Sequence, residues 1–129
     1  MRWILAVTLA ALRGGCADDP TDPEAFATFV VEVGGEVFRV EVATGEQAQA
    51  LEERRTSGIR GVVSGTLRAG DGGFNAPWSW HLDAATVEAA DLSIELCDGR
   101  PSMVEADLEY WTRTVKLFCP WGAKVVARE

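Results

Sequence analysis

The spacing of hydrophobic and polar residues changes several times along this chain, and each change marks an element. Val37 to Val42 alternates, with Phe38, Val40 and Val42 on one side and Val37, Arg39 and Glu41 on the other. Phe26 to Val33, just ahead, is β-rich, and Gly34-Gly35 supplies a turn whose glycines can take φ > 0. Two such runs across Gly-Gly predict a β-hairpin. Thr44-Gly45-Glu46-Gln47 then matches a capping box, followed by good helix formers from Ala48 to Arg55 and by Gly58 as a C′ stop. Ala48 and Leu51 give that helix a thin apolar stripe, so it is expected to lie on the sheet with most of its surface in water.

Ile59 to Leu67 reads as a further strand, in which Gly61 and Gly65 mark a bulge or a close backbone approach. Trp78 to Asp83 alternates strictly, Trp78, Trp80 and Leu82 against Ser79, His81 and Asp83. Asp91 to Cys97 alternates again and places Leu92, Ile94 and Leu96 together. Ser102-Met103-Val104-Glu105 matches a second capping box, and Val104, Leu108, Trp111, Val115 and Phe118 then recur at helical spacing as one continuous face. Acids (Glu105, Asp107, Glu109) come early and bases (Arg113, Lys116) late, which suits the helix dipole. Ala123 to Ala127 can return as a closing strand. These elements predict an α+β fold, a mainly antiparallel sheet with two helices, in a single disulfide-stapled domain over residues 26–129.

The first 15 residues have a different pattern. Arg2 supplies a positive start, Trp3 to Leu12 an apolar run too short to span a bilayer, and Gly14-Gly15 a small-residue exit, which together read as an export signal. Cys16 follows as a candidate lipid anchor. The match to a lipoprotein signal is degenerate, because Arg13 holds the position where a Leu-like residue is expected and Leu12 lies one further back. The other reading of Cys16 is a thiol discarded with the signal or left unpaired near the new terminus. Residues 16–25 are acidic and contain proline, as a tether between an anchor and a domain would be. The chain is therefore expected to be exported, either lipid-anchored in the cell envelope or extracellular.

Composition narrows the function classes. With 129 residues, 47% hydrophobic and 25% charged, the chain fits one ordinary globular domain. Twelve Lys plus Arg against 20 Asp plus Glu give a net charge of −8, which repels phosphate backbones and argues against a nucleic-acid partner. No catalytic, metal-binding or nucleotide-binding motif is complete, no cofactor is expected, and the chain is expected to be a monomer.

Four groups of residues remain as candidate chemistry. Cys97 and Cys119 flank the final helix and can meet at one end of the domain. In an exported protein such a pair reads as a disulfide, which over 22 positions stabilises by roughly 3 kcal/mol on the chain-entropy model. The alternatives are a metal site, for which ligands at suitable spacing are lacking, and a nucleophilic cysteine. His81, the single histidine, shares a strand face with Asp83 and Ser79, an arrangement that can be structural, ligand-binding or that of a small hydrolase. Asp71 and Asn75 offer two oxygens to a cation, without the ligand alternation or closing glutamate of an EF-hand loop. Of the tryptophans, Trp78, Trp80 and Trp111 lie on apolar faces, while Trp121, in a Pro-Trp-Gly corner, is the one expected to be partly exposed and is a candidate ligand contact.

Taken in order, Pro77-Trp78-Ser79-Trp80-His81-Leu82-Asp83, Ile94-Glu95-Leu96-Cys97-Asp98-Gly99, Leu108-Glu109-Tyr110-Trp111 and Phe118-Cys119-Pro120-Trp121-Gly122 resemble a known family. It is the domain at the N-terminus of a slime-mould calmodulin-binding protein, also found in small exported proteins of bacteria and fungi. Ala84 departs from it, standing where a proline is expected after the Asp. The resemblance implies that Trp78, His81, Asp83, Cys97, Cys119 and Trp121 belong to the domain's framework, and it supports the disulfide. It implies no enzyme activity. The calmodulin link does not carry over, since calmodulin grips basic amphipathic helices and the final helix here begins acidic. The functional expectation is thus a non-catalytic, exported binding domain with a protein or small-molecule partner, with a small hydrolase using His81 and Asp83, or an exoprotease inhibitor, as alternatives.

Overall fold

A computed structural model describes residues 27–129. The expected export signal, Cys16 and the tether (residues 1–25) lie outside the described residues. The expected hairpin forms from β1 (Ala27–Val33) and β2 (Glu36–Val42), antiparallel from Val33↔Glu36 to Ala27↔Val42, with Gly34 and Gly35 at φ 61° and 81°. Its apolar face, Phe29, Val31 and Val33 with Phe38, Val40 and Val42, is buried. Helix α1 (Gly45–Ser57) starts at the expected capping box: the Thr44 hydroxyl accepts from Gln47 N–H, and the Gln47 side-chain oxygen accepts from Thr44 N–H. It stops where Gly58 turns left-handed, and it buries the two residues that its sequence offered, Ala48 and Leu51.

β3 (Val62–Ala69) organises the second sheet. It pairs antiparallel with β4 (Trp80–Leu82) near its end, with β5 (Glu88–Ala90) near its start, and with β6 (Leu117–Phe118) between. β7 (Lys124–Arg128) is the expected closing strand and lies beside β1, and the Gly61–Ala123 pair just before it joins the two sheets through hydrogen bonds of 2.9 and 2.7 Å. The close approach expected at the strand glycines is present: a Cβ on Gly65 would sit 3.1 Å from the Cβ of Leu82, and one on Gly61 would sit 2.9 Å from the carbonyl oxygen of Ala90. Both sheets bury one apolar core. Its centre is aromatic, with Phe118 packed against Trp80, Phe38 and Trp111 at centroid distances of 5.3, 5.5 and 6.0 Å.

Three elements differ from the sequence pattern. The Trp78–Asp83 strand is shorter than its alternation, since only Trp80–Leu82 pairs with β3, while Asp83 caps the 3-10 turn Ala84–Thr86. The strand expected over Asp91–Cys97 does not form. β5 ends at Ala90 because β3 begins only at Val62, and beyond it Leu92, Ile94 and Leu96 are exposed. The last helix, expected to be continuous, is broken. α2 (Pro101–Ala106) ends at Asp107, whose φ of −146° and ψ of 58° leave the helical region. A short α3 (Leu108–Tyr110) then widens into a π-turn, Trp111–Val115, and Lys116 closes it in the left-handed conformation.

The break keeps the predicted apolar face on the core while moving the chain into a strand. Val104, Trp111 and Val115 are buried from the helical part, and Phe118 is buried from β6. The second capping box is also absent. Ser102 lies inside α2, and the carboxylate of Glu36, in β2, accepts from its N–H at 2.8 Å and from its hydroxyl at 2.7 Å. Glu105 bonds instead to the N–H of Ser79 at 2.6 Å.

Candidate functional site

His81 and Asp83 flank Leu82 at the end of β4, where a shallow groove opens between Glu41, Arg68, Phe74 and Gly72. The loop before β4 shapes it. Asp71 accepts from Gly73 N–H through its side chain at 2.8 Å, and Gly72, at φ 66°, brings the backbone so near the imidazole that a Cβ there would lie 2.8 Å from the ring. His81 is held in place by this loop: its Nδ1 donates to the carbonyl of Gly70 at 2.7 Å, and its ring meets Phe74 edge-on at 5.6 Å. Because a carbonyl can only accept, Nδ1 carries a proton in this bond.

Asp83 is committed elsewhere. One carboxylate oxygen accepts from Arg68 at 3.0 Å, the other from Ala85 N–H at 3.1 Å. Its carbonyl accepts the Thr86 hydroxyl at 2.7 Å, and that hydroxyl accepts the N–H of Thr66. Among the described residues no hydrogen bond joins His81 to Asp83, and Ser79 engages through its backbone alone, its N–H donating to Glu105 and its carbonyl accepting from Gly70 N–H. A catalytic relay requires the base to bridge its partners. Here each member of the row is satisfied by a different neighbour, so the arrangement rigidifies the β3–β4 edge and leaves an open rim of mixed charge.

Two residues of this region do work that their sequence positions did not reveal. Asn75, weighed above as an oxygen ligand, is 1% exposed and crosses between sheets: its side-chain carbonyl accepts from Arg39 N–H at 2.7 Å, and its amide donates to the carbonyl of Trp80 at 2.8 Å. With that oxygen consumed, the Asp71–Asn75 loop keeps no pair of ligands. Gln47 closes the capping box and also donates from its amide nitrogen to the carbonyls of Ala84 and Val87, both at 2.8 Å. In the sequence, a Gln at the third helical position signals only the local half of that role. Among the described residues, no group of three or more His, Cys, Asp or Glu side chains is placed to hold a metal ion.

Cys97 and Cys119 form a disulfide with Cα atoms 5.1 Å apart, and each residue is 1% exposed. Cys119 N–H also donates to the carbonyl of Cys97 at 2.8 Å, so the staple lies beside a backbone bond. Trp121, two residues on, is exposed as expected, and its N–H donates to the carboxylate of Asp98 at 2.8 Å. Trp78 is half-buried, with its indole donating to the carbonyl of Val37, and it stacks on the fully buried Trp80.

Fold and site together define a small α+β domain, stapled by one disulfide, whose mid-chain polar residues are engaged mainly with its own backbone. The model of the BP-74 N-terminal domain matches residues 23–129, and the chain belongs to that family. Comparison with curated proteins and with solved structures finds no match.

Proposed function

We propose that this protein is an exported, non-catalytic binding domain, held at the cell envelope by a lipid on Cys16 and presenting its folded part to a protein or small-molecule partner. The observation that carries the reading is the buried Cys97–Cys119 disulfide, since such bonds persist in oxidising compartments outside the cytosol. The Arg2, Trp3–Leu12 and Gly14-Gly15 pattern supplies the route, and the acidic residues after Cys16 supply a spacer. A net charge of −8 also repels anionic lipid surfaces, so residence at a membrane needs an anchor rather than electrostatic attraction. No observation favours the hydrolase, because His81 and Asp83 are bonded to separate partners.

Intact mass tests this. Protein purified from envelope and medium fractions is alkylated with and without prior reduction. The expected product starts at Cys16, carries a diacylglycerol-sized increment, and labels at Cys97 and Cys119 only after reduction. An uncleaved chain with three alkylated thiols before reduction overturns both export and anchoring.

A further inference from the structure

We infer that residues 91–96 form a docking edge for an extended segment of a partner protein in which basic and apolar residues alternate. The inference rests on the binding-domain reading and names its partner. Leu92, Ile94 and Leu96 are 75%, 60% and 64% exposed, in a segment whose alternation would otherwise suit a buried strand face. Leu92 and Ile94 precede the 3-10 turn Glu95–Cys97 and Leu96 lies within it, and three large apolar side chains open to water so close together mark an interaction surface. The backbone is also available, for the N–H groups of Leu92, Ser93 and Ile94 make no hydrogen bond among the described residues, and Ile94 is extended at φ −76° and ψ 152°. An extended peptide can bond to such groups while its own alternate side chains cover the leucines and isoleucine.

Both ends of the edge are pinned. Asp91 pairs with Arg54 of α1 at 2.9 Å, and Cys97 is tied to Cys119 by the disulfide. The edge is therefore held before its partner arrives, which lowers the ordering cost of binding. Charge selects the occupant. Residues 88 to 99 contain no Lys or Arg, and of their four carboxylates Asp91 is paired with Arg54 and Asp98 with the N–H of Trp121, while those of Glu88 and Glu95 have no partner among the described residues. Lys or Arg between the partner's apolar residues meets these carboxylates, whereas a second copy of this chain would bring like charges together in an already acidic molecule.

The test uses protein isolated with its disulfide intact and a fluorescently labelled heptapeptide of alternating Lys and Leu, read by anisotropy across a salt series. The wild type is expected to bind it and to ignore a peptide of alternating Glu and Leu. Leu92→Ser with Ile94→Ser is expected to weaken binding about tenfold or more with an unchanged denaturant midpoint, and Glu95→Lys to weaken it and flatten its salt dependence. Failure of the wild type to bind, equal binding of the Glu–Leu peptide, or variants that bind like the wild type overturns the inference. So does a dimer in sedimentation that Ile94→Ser converts to monomer, since the occupant is then a second copy. The mass and alkylation pattern of the same preparation reports on export and anchoring separately, so the docking edge can fail while that reading stands.

Discussion

Asn75 shows how much one polar residue can hold when it is buried between two backbones. Its amide satisfies Arg39 N–H on β2 and the carbonyl of Trp80 on β4, so it bridges the two sheets without a strand ladder. Replacing it with Ala leaves both groups in the interior without a partner, each costing about 1–3 kcal/mol. Asn75→Ala is therefore expected to lower stability by about 2–4 kcal/mol, measured as a shift in the urea midpoint with the slope unchanged. A loss under about 0.5 kcal/mol would mean that water replaces both bonds. Asn75 was legible as an oxygen donor beside Asp71, but its burial was not, because both of its partners are set by tertiary packing. His81 and Asp83 were legible as neighbours on one strand face. That their hydrogen bonds run to Gly70 and Arg68 rather than to each other depends on a loop closing over the imidazole.

Local rules hold at the level of elements wherever their partners are local. The Gly34-Gly35 hairpin, the Thr44 cap and the Gly58 stop all use residues within a few positions of one another, and all form as read. The rules fail where a distant residue takes over. Glu36 bonds the N–H and hydroxyl of Ser102 in the first turn of α2 across 66 positions, and Asp107 breaks the apolar helix so that Phe118 can enter a strand beside β3. Gln47 belongs to both cases. A capping box accepts Glu or Gln equally, yet only Gln can also donate to the carbonyls of Ala84 and Val87. Gln47→Glu places a carboxylate against two acceptors and is expected to cost about 1–3 kcal/mol by chemical denaturation. A neutral outcome would show that the cap alone is what the residue contributes.

The whole molecule is acidic, and its ionic bonds couple folding to pH. Hydrogen bonds from the Ser102 hydroxyl and N–H hold the Glu36 carboxyl below the usual carboxylate range, and Arg60 with the N–H of Gly35 does the same for Glu32. A lowered folded value means that each contribution is complete above the unfolded range of about pH 4–5 and is lost as pH falls through the lowered value. Ser102→Ala is expected to move the Glu36 titration upward, read by carboxyl-carbon NMR, and to cost stability that fades as pH drops below about 4. An unmoved titration would sever that link. Comparing the two proteins at each pH isolates this effect from the relief of self-repulsion that acidification brings to a chain of net charge −8.

At this scale the division between sequence and structure is clear. The sequence by itself determined the α+β class, the hairpin and the first helix with both its ends, whereas the pairing of Cys97 with Cys119, one reading among several in the sequence, was decided by the structure. The class, the hairpin and the helix depend on periodicity and on turn and cap chemistry, which are local. Only the tertiary structure decided which alternating run was buried. Trp80 and Leu82 found a partner in β3 and went inside, whereas Leu92, Ile94 and Leu96 lay beyond the end of that strand and stayed in water. Alternation puts side chains on one face, and whether that face meets core or solvent depends on where the neighbouring strand ends.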